Sequence, residues 1–317
     1  MDLIRGCKVF LVVFFFCTVL VAQERSVVLK TQAGDIHGSL LMASDPNAPV
    51  VLIIAGSGPT DRNGNQKGME NNSLKLLADS LNKCGIASLR YDKRGVGESK
   101  AAGQSERDLR FHDFVQDAKG WTEFLANEKK FSKIIVAGHS EGSLIGMVAS
   151  QHSKSVDGFI SIAGPGRPAD EIIKAQIASQ PEQIRNMVYP MLDTIKRGDT
   201  LTNVPPMLYA FFRPSVQPYM ISWFQYDPKA EVAKLNIPVL ILQGTTDIQV
   251  PVKDAEILKS ACPKANLQII PGMNHVLKEV PTEDRKVQIA AYSNRELPLH
   301  AALAKELVAF IKGIETK

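Results

Sequence analysis

A serine between two glycines, at the point where a strand leads into a helix, is the strongest constraint in this 317-residue chain. Residues 134–137 are apolar strand formers, and they run directly into Gly-His-Ser-Glu-Gly at 138–142. Small and apolar residues then recur at helical spacing, so this stretch predicts a strand, a sharp turn and a helix. Glycine suits both flanking positions because a Cβ atom there would clash with a neighbouring strand or helix. We therefore expect the turn to present the Ser140 hydroxyl at the carboxyl end of a buried strand.

Strands and helices alternate along much of the chain, which indicates its fold class. Hydrophobic residues make up 44% of the sequence, enough for a sizeable core. The strand at 49–55 is apolar throughout, as expected for an interior strand covered on both faces. The pattern predicts an α/β fold with a doubly wound, mostly parallel sheet and ligands at the carboxyl ends of its strands. We predict strands at 26–31, 36–43, 49–55, 86–91, 134–137, 158–163, 238–244 and 267–270, and helices at 73–84, 111–129, 252–262 and 299–314.

Residues 165–236 interrupt this alternation. They contain two helical segments, 168–179 and 181–196, followed by an aromatic, proline-rich stretch at 204–226 without a clear strand. We interpret the whole segment as a helical lid inserted over the site, which divides the core into residues 23–164 and 237–317. Most of the aromatic side chains are expected to pack the lid onto the core. Four are expected to bind substrate: Phe211, Phe212, Trp223 and Phe224.

The first 22 residues predict a secretory signal peptide rather than part of the fold. Arg5 and Lys8 precede an apolar stretch at 9–22, which is too short to span a bilayer comfortably and is followed by polar residues. We place cleavage after Ala22, with an uncleaved membrane anchor as the alternative. The interpretation predicts an exported protein, periplasmic or extracellular, without stable membrane insertion after cleavage.

Charge and cysteine content limit the partners and the redox chemistry. The formal charge is +4 and no run of five basic residues occurs, so nucleic acid is not a favoured partner. After signal cleavage only Cys84 and Cys262 remain. They could pair in an exported protein, or stay as two buried free thiols, and the sequence leaves both open. It also leaves the oligomeric state open.

A serine hydroxyl needs a base to take its proton and a group that fixes the tautomer of that base. When the serine lies in a strand-to-helix elbow, the chain order is serine, acid, histidine, each just past a strand end. Asp247 and His275 occupy those places. The rival acid Asp254 fits better in the first turn of a helix, and His300 opens a helix rather than following a strand. We expect His139, inside the elbow, to pack beneath the turn rather than act as a base.

The glycine-rich loop at 56–65 follows the interior strand. Enzymes with a serine in a strand-to-helix elbow have a backbone N–H at this position that binds an oxyanion. Two other interpretations of this loop fail on single residues. A dinucleotide loop would need a third glycine where Asp61 stands, and a calcium loop would need glycine at Gln66. In the charged turn that starts at Asp92, we expect Asp92 and Arg94 to form a pair that braces the loop.

Four motifs together resemble the α/β-hydrolase superfamily: the 138–142 elbow, Asp-x-Arg-Gly-x-Gly-x-Ser at 92–99, Gly-x-x-Asp-x-x-Val-Pro at 244–251, and Gly-x-Asn-His at 272–275. The loop Gly-Ser-Gly-Pro-x-Asp-Arg-x-Gly-Asn at 56–65 resembles a bacterial branch that includes carboxylesterases. The resemblance implies Ser140 as nucleophile, His275 as base and Asp247 as its orienter. It also implies an oxyanion hole formed by the backbone N–H groups of Ser57 and Glu141.

The chemistry implied is hydrolysis of a small-molecule carboxylic ester, of short to medium acyl chain, through an acyl-enzyme, with no cofactor and no metal. Thioesterases, lactonases and aminopeptidases use the same triad and stay open. An aminopeptidase would need an acidic subsite for the free amine, for which the lid offers Asp170, Glu171, Glu182, Asp193 and Asp199. A hydrolase-like binding protein without turnover is the alternative from another class.

Overall fold

An eight-stranded sheet forms the centre of the chain in this computed structural model, which describes residues 24–103, 105–151 and 153–315. The strand order is β1-β2-β4-β3-β5-β6-β7-β8. β2 is antiparallel to both of its neighbours, and every other pairing is parallel. The doubly wound, mostly parallel sheet predicted from the sequence is therefore confirmed. The strands are β1 Glu24–Thr31, β2 Gly34–Leu41, β3 Val50–Ile54, β4 Ala87–Tyr91, β5 Ile134–His139, β6 Gly158–Ile162, β7 Val239–Gly244 and β8 Asn266–Ile270.

Helices cover both faces of this sheet. α1 and α11 pack on one face, and α2, α3 and α9 pack on the other. The predicted helices all form, with ends that differ by a few residues. The helices are α1 Ser73–Lys83, α2 Phe111–Asn127, α3 Glu141–Ser150, α4 Ala169–Gln176, α5 Glu182–Lys196, α6 Tyr209–Phe212, α7 Gln217–Trp223, α8 Pro228–Val232, α9 Val252–Ala261, α10 Arg285–Ala291 and α11 Ala301–Gly313.

Strand β3 shows how the sequence pattern sets this layering. Val50, Leu52 and Ile54 point to the face that carries α2 and α3, whereas Val51 and Ile53 point to the face that carries α1. Each is at most 1% exposed. An unbroken apolar run is what a parallel strand with helices on both faces requires.

The order of the strands opens a crevice beside β3. The chain passes from β3 to β4 on one side, and then to β5 on the other side of β3. Loops that leave the carboxyl ends of β3 and β5 therefore diverge over opposite faces, which is where open α/β sheets bind ligands. Ile54 of β3 lies in register with Gly138 of β5. This register brings the glycine-rich loop and the Ser140 turn next to each other.

The segment between β6 and β7 contains helices α4 to α8 and has an apolar core of its own. The proline-rich aromatic stretch forms short helices and no strand, in keeping with its many turn residues. The first residues of the 165–236 segment bind α9. Asp254 of that helix accepts hydrogen bonds from the Gly166 backbone N–H at 3.0 Å and from Arg167 Nη2 at 2.6 Å. The core of the segment consists of Ala169, Val188, Met191, Leu192, Ile195, Leu208, Phe212, Met220 and Phe224.

The predicted pairing of Asp92 with Arg94 is wrong. Arg94 donates to Asp117 of α2 through Nε at 2.6 Å and Nη2 at 2.7 Å. Asp92 instead accepts from Arg62, through the backbone N–H at 2.8 Å and through Nη2 at 2.8 Å. The tight turn directs the two side chains to different elements, so each braces a separate neighbour. Asp92 thereby anchors the glycine-rich loop.

Cys84 and Cys262 are both free thiols, and the disulfide alternative does not hold. Cys84 follows α1 and Cys262 follows α9, so the two lie on opposite faces of the sheet. Cys84 is exposed rather than buried, and Cys262 is half-buried.

The predicted signal peptide at 1–22 lies outside the described residues. Within the described range, every helix is too short or too polar to cross a bilayer.

Candidate active site

The Ser140 turn has the strained geometry expected of a nucleophile elbow. Ser140 adopts φ 54° and ψ −124°, a backbone conformation that residues other than glycine rarely occupy. A Cβ on Gly138 would lie 2.1 Å from the carbonyl oxygen of Gly142, and a Cβ on Gly142 would lie 2.4 Å from that of Ile54. Both positions therefore require glycine, for the reason that the sequence suggested.

His275 and Asp247 form a buried pair. His275 Nδ1 lies 2.8 Å from Asp247 Oδ2. Oδ1 of Asp247 accepts the backbone N–H groups of Gln249 at 2.8 Å and Val250 at 3.0 Å. Burial acts to raise the pKa of Asp247, but His275 and these N–H groups outweigh it and hold the pKa below its ordinary value. The ionised carboxylate fixes the proton on Nδ1, which leaves Nε2 available as a base.

Ser140 and His275 line one cleft, whose volume is about 260 Å³. Among the described residues, the Ser140 hydroxyl has no hydrogen-bond partner, so its bond to His275 Nε2 is not formed in this structure. Such catalytic bonds are often long or misaligned without substrate and tighten when it binds. The structure thus brings Ser140, His275 and Asp247 together, with the serine-to-histidine contact still open.

The glycine-rich loop lies directly against the serine. A Cβ on Gly56 would meet the Ser140 Cβ at 3.1 Å. Within the described part of the chain, the backbone N–H groups of Ser57 and Glu141 donate to no acceptor. Glu141 is the first residue of α3, where unpaired N–H groups and the helix dipole favour negative charge. Two N–H groups beside Ser140 are therefore available for an oxyanion.

His139 supports the loop that carries His275. Its Nε2 donates to the His275 carbonyl oxygen at 2.8 Å, and the two rings lie 4.9 Å apart. Burial, followed by the neighbouring His275, lowers the pKa of His139 to about 3. The ring therefore stays neutral near pH 7 and packs beneath the elbow, as expected from the sequence.

The remaining side chains of the cleft are mostly polar and uncharged, with Met69 and Val276 as apolar members. No carboxylate side chain lines it, counting the described residues only, and none of its lining comes from residues 165–236. The same described residues contain no group of three or more His, Cys, Asp or Glu that would hold a metal ion. The uncharged polar lining residues are Thr60, Gln66, Asn71, Ser73, Gln249 and Tyr292.

Sequence reasoning missed Gln249 and Tyr292 as site residues. Gln249 Nε2 donates to the Tyr292 hydroxyl at 2.9 Å, which closes one side of the cleft. Burial raises the pKa of Tyr292 above its ordinary value, so the phenol stays protonated near pH 7. Tyr292 belongs to the polar stretch at 278–298, whose shape the pattern did not indicate, so no signal pointed to it.

None of the four aromatic residues expected to bind substrate lines this cleft. Phe211 is 70% exposed, whereas Phe212 and Phe224 are buried in the core of the 165–236 segment. Trp223 packs against Tyr219 and Phe224. Phe211 and Phe212 lie on α6, Trp223 ends α7 and Phe224 follows it.

A buried ion pair beneath the site was also missed. Lys93 Nζ lies 3.1 Å from Glu141 Oε2, and each side chain is 2% exposed. Lys93 Nζ also donates to the Gly56 carbonyl oxygen at 2.5 Å. The Tyr219 hydroxyl donates to Glu141 Oε1, and burial raises the pKa of Tyr219 well above its ordinary value. No spacing in the sequence links Lys93, Glu141 and Tyr219.

Comparisons with known proteins find a hydrolase family profile and an esterase that resemble this chain. The profile of a family described as serine aminopeptidase S33 matches residues 68–215, which include Ser140. The esterase EstD of Thermotoga maritima is 30% identical over 282 residues. That match covers 83% of this chain, and the chain spans 63% of the length of this curated relative.

Solved structures of two esterases share the fold. Est1E from Butyrivibrio proteoclasticus with bound ferulic acid has a TM-score of 0.59 at 17% identity, covering 90% of this chain and 99% of that one. The Pyrococcus furiosus esterase Pf2001 has a TM-score of 0.59 at 17% identity, covering 96% of each chain. The expected α/β-hydrolase fold is confirmed by these structures, and the profile and the Thermotoga maritima esterase are what the chain resembles in sequence.

Proposed function

We propose that this protein is a serine carboxylesterase that hydrolyses small esters of short to medium acyl chain. The observation that carries the proposal is the arrangement in one cleft of a strained Ser140, the His275–Asp247 pair and two free backbone N–H groups. Similarity to the Thermotoga maritima esterase supports it. The Gly-Ser-Gly-Pro loop at 56–65 supports a bacterial carboxylesterase branch of the superfamily.

The first half of the reaction acylates Ser140. His275 Nε2 takes the hydroxyl proton as the serine oxygen attacks the ester carbonyl, and Asp247 stabilises the imidazolium that forms. The backbone N–H groups of Ser57 and Glu141 hold the oxyanion of the tetrahedral intermediate. The C–O bond to the leaving group then breaks, and His275 gives its proton to the departing alcohol.

The second half releases the acid. His275 Nε2 accepts a proton from a water molecule, whose oxygen attacks the acyl carbonyl on Ser140. The same two N–H groups hold the second oxyanion. Collapse of this intermediate returns the proton to Ser140 and frees the carboxylic acid, so the cycle needs no metal and no cofactor.

The size and polarity of the cleft favour a small, uncharged ester. Its volume of about 260 Å³ lies just below the usual range for small-molecule sites, roughly 300 to 1,000 Å³. Uncharged hydrogen-bonding groups line it, which suits neutral polar substrates. The aromatic side chains of the 165–236 segment do not reach it, so we do not assign them to acyl-chain recognition.

Serine aminopeptidase activity is a second candidate because of the family profile. A free N-terminal amine is cationic near pH 7, and its recognition needs a nearby carboxylate. Among the described residues no carboxylate side chain lines the cleft. The lack of a carboxylate among the described residues of the cleft favours esters over peptides as substrates.

The proposal also includes export of the protein to the periplasm or beyond, directed by the signal sequence at 1–22.

Turnover of a graded substrate panel tests the proposed function. The panel holds p-nitrophenyl esters from acetate to long acyl chains, beside aminoacyl p-nitroanilides, with Ser140→Ala as control. We expect ester hydrolysis that is greatest for short to medium chains and falls by about a million-fold in kcat without Ser140. Anilide turnover without ester turnover would indicate an aminopeptidase. Turnover of neither the esters nor the anilides would favour the alternative, a hydrolase-like binding protein without catalysis.

A further inference from the structure

Lys93 is a buried cation that the proposed mechanism does not use. It follows β4 and Asp92, its side chain is 2% exposed, and it does not line the Ser140 cleft. Its ammonium group lies 5.1 Å from the centre of the Phe114 ring, which encloses it on one side. A charged lysine is rarely buried unless each of its donors finds a partner. The partners of Lys93 therefore indicate what it does.

One partner is the peptide bond that carries a proposed oxyanion donor. Lys93 Nζ donates to the carbonyl oxygen of Gly56 at 2.5 Å. In a planar trans peptide the C=O of one residue and the N–H of the next point in opposite directions. Holding the Gly56 carbonyl toward Lys93 therefore directs the Ser57 N–H away from it. Ser57 lines the cleft and its N–H has no acceptor among the described residues, so we expect it to point into the cleft.

The other partner is the residue that carries the second donor. Glu141 supplies the backbone N–H at the start of α3, and its carboxylate pairs with Lys93 Nζ at 3.1 Å. A single ammonium group thus connects the loop after β3 to the helix after β5. These are the two elements whose N–H groups must converge on one oxygen atom.

The third member of the cluster comes from another part of the chain. Tyr219 lies on α7 in the 165–236 segment, and its hydroxyl donates to the carboxylate oxygen of Glu141 that does not face Lys93. The ring also packs edge-on against Phe114. Helix α7 therefore contacts the site only indirectly, through the carboxylate of Glu141.

We propose that Lys93 and the Glu141 carboxylate are positioning residues of the oxyanion hole, and that Tyr219 links the 165–236 segment to it. The proposal rests on the esterase function proposed above. None of the three side chains touches the substrate. They act by fixing the directions of the Ser57 and Glu141 N–H groups, which stabilise charge in the transition state.

The test removes the ion pair without leaving a buried charge. Lys93→Met alone would strand the carboxylate of Glu141, so the main variant is the double change Lys93→Met with Glu141→Gln. Tyr219→Phe removes only the hydroxyl. The matched control is Arg94→Met with Asp117→Asn, which neutralises another mostly buried ion pair on the same turn. Melting temperature is measured for every variant, together with kcat and KM for p-nitrophenyl acetate.

We expect kcat to fall about 100-fold in the Lys93/Glu141 double variant, with KM changed less than about threefold, because the lost interaction acts in the transition state. For Tyr219→Phe we expect about a fivefold fall in kcat, because the Glu141 carboxylate loses one hydrogen bond but keeps its contact with Lys93. The Arg94/Asp117 control is expected to keep wild-type kcat. A merely structural role would move both double variants alike and would track the melting temperature.

A second readout addresses the oxyanion directly. Sulfur accepts hydrogen bonds weakly, so an intact oxyanion hole favours an oxygen ester over the matching thionoester. We expect the ratio of their rates to fall in the Lys93/Glu141 variant and to stay at the wild-type value in the control.

The outcomes separate this inference from the proposed function. Wild-type kcat and an unchanged rate ratio in a folded Lys93/Glu141 variant would overturn the positioning role while leaving the esterase intact. If that variant does not fold, Tyr219→Phe decides, and an unchanged kcat and rate ratio there would overturn the proposal. A wild-type protein without ester turnover would overturn both proposals.

Discussion

At the scale of single residues, the elbow shows why two glycines and a strained serine occur together. The sharp turn that gives Ser140 a φ of 54° brings the chain on either side into close contact. Glycine at 138 and 142 permits this contact, because a side chain at either position would clash. The spacing of glycine and serine in the sequence predicts the contact of Gly138 correctly, because Gly138 meets Gly142 and Ser143 within the same turn. A Cβ on Gly142 would meet backbone atoms of Ile54 and Ala55 at the end of β3, which cannot move aside as a flexible side chain can.

Gly142→Ala is expected to destabilise the protein by about 1–3 kcal/mol and to lower esterase activity. The added Cβ would lie 2.4 Å from the Ile54 carbonyl oxygen, so strand or elbow must shift. Urea unfolding and p-nitrophenyl acetate turnover measure the two effects. Gly313→Ala is the control, since its Cβ meets nothing within 4 Å, and it should change the free energy of unfolding by less than about 1 kcal/mol. Equal effects of the two changes would contradict the packing argument.

His139 makes stability depend on pH in a defined direction. Its folded pKa of about 3 lies below its ordinary value of 6.5, so only the unfolded chain binds the proton between these values. The stability associated with a neutral His139 is complete above pH 6.5 and is lost as the pH falls from there toward 3. At pH 5 the loss is about 2 kcal/mol.

His139→Gln keeps a donor for the His275 carbonyl and removes the titration. The difference in unfolding free energy between pH 7 and pH 5 should therefore be about 2 kcal/mol smaller in this variant than in the wild type. Urea unfolding at both values measures it. A wild-type pH dependence in His139→Gln would show that the ring is not a buried neutral histidine.

The residues of the site divide into those that the sequence could predict and those that it could not. Ser140, Asp247 and His275 each follow a strand, so chain order alone brings them to one edge of the sheet. Lys93 also follows a strand, but its pairing with Glu141, like the position of Tyr292, depends on packing between segments far apart in the chain. Such contacts leave no periodicity or spacing that a single sequence reveals.

At the scale of elements, the 165–236 segment depends on its connection to the core. Asp254 in the first turn of α9 is fully buried, and it holds the Gly166 and Arg167 backbone N–H groups as well as the Arg167 guanidinium. The composition of the segment correctly indicates helices, because apolar and turn residues are local signals. It could not indicate which way each aromatic ring faces, since that depends on how short helices pack.

Asp254→Ala is expected to loosen the start of this segment. Arg167 and two backbone N–H groups would lose their acceptor, at a cost of about 3 kcal/mol. Hydrogen exchange should then increase most in α4 and in the loop before it, with β3 and β5 protected as in the wild type. Exchange that rises evenly across the sheet would indicate a general loss of stability and contradict a local anchor.

At the scale of the whole molecule, the layering explains the cysteines. The sequence predicts the fold and its sheet because strands and helices alternate with clear periods, and the strand order then follows the rules of doubly wound sheets. It left the cysteine pairing open, because pairing depends on which face of the sheet each helix covers.

A chain expressed from residue 23 should carry two free thiols. Cys84 and Cys262 follow helices on opposite faces of the sheet, and both are free in the structure. Alkylation of the denatured, unreduced protein should therefore add two groups by intact mass, and in the folded protein the exposed Cys84 should react first. If the unreduced, denatured protein gained no alkyl groups in its intact mass, the two cysteines would form a disulfide, which would contradict the arrangement of α1 and α9.

The central claim is that Ser140 is the nucleophile of a hydrolase, and covalent labelling tests it most directly. The wild-type protein is treated with a fluorophosphonate, which modifies serine only where a base and an oxyanion hole activate it. Peptide mapping by mass spectrometry then locates the adduct. We predict one adduct, on the peptide that contains Ser140. We predict none in folded Ser140→Ala, and none in folded wild type preincubated with a saturating concentration of an ester that the enzyme hydrolyses. An unlabelled wild-type protein, or an adduct on another residue, would contradict the account.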